Sequence, residues 1–401
     1  MGLTFPHLEY RYLPNYNYGV TVPIATALFS SIATGTLTLT GIVFSLAFVM
    51  VQFSSTAYSP RLVFWLSRDP VIWHGLGIFS ATFLYSLVAL IWVDRWDSGR
   101  VPIFSAWVVI LLVVSSVVIM SLLVRRLALL QVGGVMRFIG HFGRQEINYC
   151  YPQLIKPGTQ KIAAGAHSKT TEVNLPVVQS VVHAGEPLAI CAYDVQKLVS
   201  LAAKADALIV MPHAIGDTLI EGESLLHVCG SGSITETKLR HAVRIGRQRT
   251  FEQDPKYAIR LLVDIAIRAL SPAVNDPTTA VQCLDHIEDL LRRLSARDLA
   301  VGEVADQSGV LRLIFPTPRW EDFLSLAFDE IRSYGASSIQ VVRRLRSALY
   351  DLASAVPVER QDAIRHYIER LDLTVKNTIK DSEDQTTALQ QDRQGLGLSR
   401  R

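Results

Sequence analysis

The amino-acid sequence predicts an α-helical membrane domain of about three spans, then a cytosolic α+β part made of a small β-sandwich-like module and an α-helical domain. Three observations carry this reading. Val22–Phe53 runs for about thirty residues without a charged side chain, where about twenty suffice to cross a bilayer. Two more apolar runs, Val71–Val93 and Ile103–Val124, follow before Arg125. From Glu172 the texture changes to short β-branched segments punctuated by Gly and Pro, and from about Thr235 to a helical period.

At 401 residues the chain has room for a membrane domain plus one or two soluble ones. Its mean hydropathy of +0.26 averages very apolar helices with ordinary water-soluble sequence. A net charge of +3 without a domain-wide basic face argues against a nucleic-acid partner. The four cysteines, Cys150, Cys191, Cys229 and Cys283, show neither a CxxC pair nor zinc spacing, and all follow the apolar runs. Free thiols on the reducing side of the membrane are expected. No cofactor motif stands out.

Residues 1–21 carry Tyr10, Tyr12, Tyr16 and Tyr18 and lack the basic start of a signal peptide, which suits an interfacial lead-in. The transmembrane domain spans 22–126. Its first helix would be roughly 48 Å long against a hydrocarbon core of about 30 Å, so it must tilt or project. Small polar residues fall near one face of it: Ser30, Thr34, Thr38, Gly41, Ser45 and Gln52. Such a seam lets helix backbones approach, or it lines a water-filled path; packing is the favoured of the two. His74 sits near the start of the second run and reads as interfacial.

Lys and Arg counts on alternate sides set the topology. Arg11, Arg95 and Arg100 lie on one side; Arg61, Arg68, Arg125, Arg126, Arg137 and Arg144 lie on the other. The richer side faces the cytosol, which puts the C-terminal part there.

Residues 127–170 form a connecting helix and a linker broken by Pro152, Pro157 and Gly158. The β-rich module, 171–233, contains LPVVQSVV, ALIVMP and ESLLHVCG, and Gly216 and Gly222 supply turn geometry in HAIGDTLIEGESLLHV. That stretch resembles the sandwich modules of lipoyl and biotinyl carriers, but no exposed Lys sits in a tight hairpin, so the carrier role does not follow.

The α-helical domain, 234–380, opens with Thr237–Gln248, where Arg240, Arg244 and Arg247 recur at helical spacing. Asp254–Pro255 then starts a helix to about Leu270, with Asp as N-cap and Pro at the first position. It should bury Leu261, Leu262, Ile265, Ala266 and Ala269, with Lys256, Arg260, Asp264 and Arg268 as a charged stripe. Asp276–Pro277 starts the next helix by the same chemistry; it should bury Ala280, Cys283, Leu284, Ile287, Leu290 and Leu291. A strand at Leu311–Pro316 and helices near Arg319–Leu352 and Glu359–Ile379 follow. The polar tail 381–401 reads as disordered.

GIVFSLAFVMVQFSSTAYSPRLV, the stretch Gly246–Ile287 with SPAVNDPTTA at its centre, and FPTPRWEDFLSLAFDEIR are the residues that carry a family likeness. On them the chain resembles, over nearly its whole length, the bacterial membrane proteins grouped as domain of unknown function 2254. The resemblance implies an inner-membrane protein with a cytosolic domain and one more membrane helix, placed ahead of Met1. It implies no reaction.

Arg247, Arg249, Asp254, Arg260, Asp264, Arg268, Asn275 and Asp276 form the densest polar constellation. They would bind a small anionic ligand or a lipid headgroup, or else cap helices and pair between them; the structural role is favoured. His183, His213 and His227 lack the short spacing of metal ligands. No nucleophile–base or carboxylate pair suggests an enzyme. The function expected is a homo-oligomeric ion channel or pore with a cytosolic regulatory domain. The alternative is a membrane-anchored sensor or scaffold whose cytosolic domain binds an anionic ligand or a partner protein.

Overall fold

The computed structural model describes residues 8, 9, 12, 20–57, 70–96, 98–129, 132–155 and 175–397, in two compact units, Met1–Val135 and Met136–Arg401. Expectations resting on Tyr10, Arg11, Tyr16, Tyr18, Arg61, Arg68, the side chain of Arg126 and most of the linker lie outside these residues.

The first unit is built on α1 (Val22–Ala57), α2 (Pro70–Ile91) and α3 (Ile103–Leu129). Within them Val22–Val49, Pro70–Ile91 and Ile103–Arg125 are long and apolar enough to cross a membrane. With 36 residues, α1 extends for about 54 Å and outruns a bilayer core. Ala25 and Phe29 pack with Tyr85, Ala89, Ile103 and Val109 at one level. Val43, Ile72, Phe79 and Leu123 close a second layer. The α2–α3 approach needs Gly75, where a Cβ would sit 3.1 Å from Leu123 Cδ1.

The second unit begins in α4 (Val132–Cys150) and holds two small sheets and a helical stack. One sheet runs in the order β1 (Val177–Val182), β5 (Ser224–Gly230), β3 (Ala207–Val210), β8 (Leu311–Ile314), β7 (Glu303–Ala305). The other runs β4 (Thr218–Leu219), β2 (Leu188–Tyr193), β6 (Val243–Gly246). Short α5 (Val195–Lys204) follows β2, held by Asp194 accepting from the Lys197 N–H. Ile190, Tyr193, Leu198, Ile209, Leu226, Val228 and Leu313 form one apolar core beneath both sheets.

Three expectations change here. The β-rich part does not end at 233, because β6, β7 and β8 come from later in the chain and β8 pairs in parallel with β3. The helix expected over Thr237–Gln248 is only α6 (Glu236–Arg240). Beyond it Val243 and Ile245 turn into the sheet core while β2 supplies an edge to pair with, so the period becomes two. The tail is not wholly disordered: Asp381 accepts from the N–H groups of Glu383 and Asp384 and starts α12 (Ser382–Ala388). Arg343 Nε then donates to Thr387 O, and Ala388 is buried.

The remaining helices are α7 (Pro255–Ala269), α8 (Pro277–Ser295), α9 (Trp320–Tyr334), α10 (Ile339–Ala355) and α11 (Val358–Thr378). Every residue expected to be buried on α7 and α8 is buried. The stretch read as one helix from Arg319 is broken at Gly335, where a Cβ would lie 2.6 Å from Val341 Cγ1, and Ser338 caps the helix that follows.

Candidate functional site

In the first unit the site question centres on α1. At about 100° per residue, its buried face (Ala25, Phe29, Ala33, Thr36, Val43) lies roughly opposite the Ser30–Gln52 seam. Ser30, Thr34, Thr38, Gly41, Ser45 and Gln52 are all exposed on the single chain. The seam thus lies on the side of α1 away from that buried face. Beside the apolar layers, polar pairs join α2 and α3: Thr82 and Ser116 lie 3.4 Å apart, and the Tyr85 hydroxyl donates to Ser105 Oγ at 3.3 Å. The Thr34 and Thr38 hydroxyls donate to the carbonyls of Ser30 and Thr34, each at 3.0 Å. Both side chains stay exposed.

Sequence reasoning missed Glu9. Its carboxylate accepts from the Phe104 N–H (2.7 Å), the Ser105 N–H (2.9 Å) and the Ser105 hydroxyl (2.6 Å). A buried carboxylate here satisfies N–H groups that the first turn of α3 leaves open, and its charge suits that end of the helix. Only a capping residue adjacent in sequence would have been legible, and this one comes from ninety-odd positions upstream.

In the second unit the structure resolves the polar constellation into separate pairs. Asp254 is buried, caps α7 through the Tyr257 N–H, and takes the Arg249 guanidinium in a two-point bridge. Gly216, at φ +92°, passes so close that a Cβ there would stand 2.6 Å from Arg249 Nε and Asp254 Oδ2. Arg260 bonds Asp264 Oδ1 at 2.7 Å and both oxygens of Glu330 at 2.8 and 2.7 Å. The hydrogen bond to Glu330 is the largest influence holding the Arg260 guanidinium above its ordinary value. Arg247 pairs with Glu186 at the surface. Asp276 caps α8 through the N–H and hydroxyl of Thr279, and Asn275 is exposed at φ +48° beside it. Arg268 joins none of these pairs.

The structure does not bring the three histidines together. His183 Nε2 meets Glu186 O, His227 Nδ1 meets Ser180 Oγ, and His213 lies 3.8 Å from Glu223. Among the described residues no group of His, Cys, Asp and Glu is arranged to hold a metal ion.

A joint absent from the sequence reading ties α4 to the sheets. Gln253, at φ +54°, mimics a strand: its amide pairs with both the N–H and the carbonyl of Tyr193 at 3.0 Å, while its own N–H donates to Glu146 at 2.8 Å. Burial raises the Glu146 carboxyl above its usual range; the Gln253 N–H draws it back, and the Glu252 and Asp254 charges push it higher. A pKa raised on folding stabilises below the unfolded value and is lost as pH rises through the folded one. Glu146→Gln keeps an acceptor and removes the charge. It is expected to raise the thermal midpoint at about pH 7 and to leave it unchanged near pH 4, measured by thermal unfolding in detergent.

Comparison with known proteins agrees with a membrane protein. The sequence matches a family model described as "Predicted membrane protein (DUF2254)" over residues 6–351. An uncharacterised protein of Mycobacterium tuberculosis strain H37Rv and one of Mycobacterium bovis are each 27% identical over 401 residues, covering 97% of this chain and 74% of theirs. No solved structure matches. With the family model spanning most of its length, the chain belongs to the predicted membrane proteins of domain of unknown function 2254.

Proposed function

We propose that the protein is a homo-oligomeric channel or pore of the bacterial inner membrane, non-enzymatic, with its second unit in the cytosol as a regulatory domain. The observation that carries this is the position of the Ser30–Gln52 stripe, on the exposed side of α1 opposite its packing face. Facing acyl chains, a line of hydroxyls and glycines gains nothing that Leu or Val would not give. Facing other copies of α1, it permits close backbone approach and interhelical hydrogen bonds, or it wets a central path. The Arg249, Arg260 and Arg247 pairings leave those three guanidiniums less available to the anionic ligand of the sensor reading.

Two measurements test the proposal. Thr34→Cys and Ser45→Cys should each give disulfide-linked dimers on oxidation in native membranes, while Ile24→Cys, exposed elsewhere on α1, should give few. Purified protein in planar bilayers should conduct, and Thr38→Val should lower the unitary conductance. Absence of both crosslinks and conductance would overturn the reading.

A further inference from the structure

The turn joining the second and third apolar helices has surroundings that its own flanks dictate. α2 ends at Ile91, α3 begins at Ile103, and both are long and apolar enough to cross a membrane, so residues 92–102 stand where lipid gives way to water. Exposed aromatic side chains mark that level and the opposite one. Trp73 is exposed in the first turn of α2; Trp92 and Trp96 follow its last turn, and Trp96 is 82% exposed. Trp73 and Trp92 are about 28 Å apart along the helix axis, close to the roughly 30 Å of a hydrocarbon core. Phe104 and Trp107 lie exposed in the first two turns of α3. Between the two levels the large side chains that α2 and α3 expose are aliphatic, among them Leu84, Leu87, Leu111 and Val118. Indoles at both boundaries with aliphatic side chains between them are the pattern that a bilayer selects.

The turn is built to hold its indoles in place. The Asp94 N–H donates to the Arg100 carbonyl at 2.9 Å, and Asp94 Oδ1 accepts from the Gly99 N–H at 2.7 Å. Asp94 and Trp96 take φ of +50° and +64°, a region that a bulky side chain rarely adopts, and the bend leaves Trp96 almost bare. The Arg95 guanidinium lies over the Trp92 ring, 4.0 Å from its centroid, and 5.7 Å from the centroid of the Trp96 ring. Stacking engages the face of a guanidinium, whereas its in-plane N–H fork is the part that matches a phosphate. Within the turn Arg95 and Arg100 are balanced by Asp94 and Asp97, so nothing in its net charge favours anionic over zwitterionic lipid.

We propose that Trp92, Arg95 and Trp96 form a contact for phospholipid headgroups, the indoles resting at the glycerol level and the Arg95 guanidinium meeting the phosphate that zwitterionic and anionic lipids share. The contact uses neither the α1 stripe nor the second unit, so it stands apart from the channel reading.

Fluorine NMR on the full chain carrying fluorotryptophan, in phosphatidylcholine nanodiscs, tests the proposal. The Trp96 resonance is the one lost in Trp96→Phe, or in Trp96→Tyr should the first variant not fold. Lipid spin-labelled near the headgroup end of its acyl chain should broaden that resonance several-fold more than lipid labelled at the chain terminus, and several-fold more than a soluble gadolinium chelate. The broadening should be unchanged when phosphatidylglycerol is mixed in. Arg95→Gln should weaken it by half or more, and Arg95→Lys, which keeps a cation without the planar fork, should fall between. Broadening by the gadolinium chelate alone would put Trp96 in water and overturn the proposal. Silence from every label, which indicates a protein contact, or an effect confined to bilayers with phosphatidylglycerol would also overturn it. An Arg95→Gln chain that kept the full effect would overturn the phosphate contact.

Discussion

Replacing Asp254 with alanine is expected to destabilise the second unit by about 3 kcal/mol, at the lower end of what breaking a buried ion pair costs. Three losses coincide. The α7 N-cap goes, worth about 1 kcal/mol alone. The Arg249 guanidinium is left in a partly buried site beside Gly216 without its carboxylate. The Arg249–Tyr257 stacking, 5.3 Å from guanidinium to ring centroid, loses the anchor that aims it. Asp254→Asn separates these contributions, because it keeps the cap and discards the charge. Its midpoint in denaturant-induced unfolding should fall between wild type and alanine. An Arg249→Met, Asp254→Ala double variant less destabilised than the sum of its parts would identify the remainder as the cost of an orphaned arginine.

The second large effect concerns Gly143. A Cβ there would stand 2.9 Å from both Ala258 Cβ and Leu290 Cδ2, so α4 touches α7 and α8 backbone to side chain at that point. Gly143→Ala gains up to about 1 kcal/mol of helix propensity and loses about 1–3 kcal/mol to overpacking. A net loss of about 1 kcal/mol is expected. Gly143→Val adds two methyl groups where no room exists and should cost about 3 kcal/mol or more. Because α4 follows directly on the third apolar helix, the Val variant should also raise protease sensitivity at 151–175 in membranes. An Ala variant that matched wild type in unfolding would show that α4 can slide outward, contrary to this packing.

Much of the secondary structure was legible because it is written locally. Asp254–Pro255 and Asp276–Pro277 place a side-chain acceptor and a fixed φ at adjacent positions, and both start helices where expected. The burial pattern of α7 and α8 follows from a 3.6-residue period that no neighbour overrides. Reading failed where pairing partners are distant. Val243–Gly246 looks helical by its arginine spacing and becomes a strand because β2 is there to receive it. The tail orders because Arg343 reaches Thr387, and Glu9 caps a helix far along the chain.

The sequence by itself determined the solvent of each part: three uncharged runs long enough for lipid, and a remainder that alternates apolar and charged residues as water requires. It also placed the helix caps at Asp254 and Asp276. Only the tertiary structure decided which face of α1 is buried, and so left its hydroxyl stripe outward. The reason is that periodicity defines a face without naming what packs on it, and that choice was made by Phe79, Tyr85 and Val109 meeting Phe29 and Val43 instead.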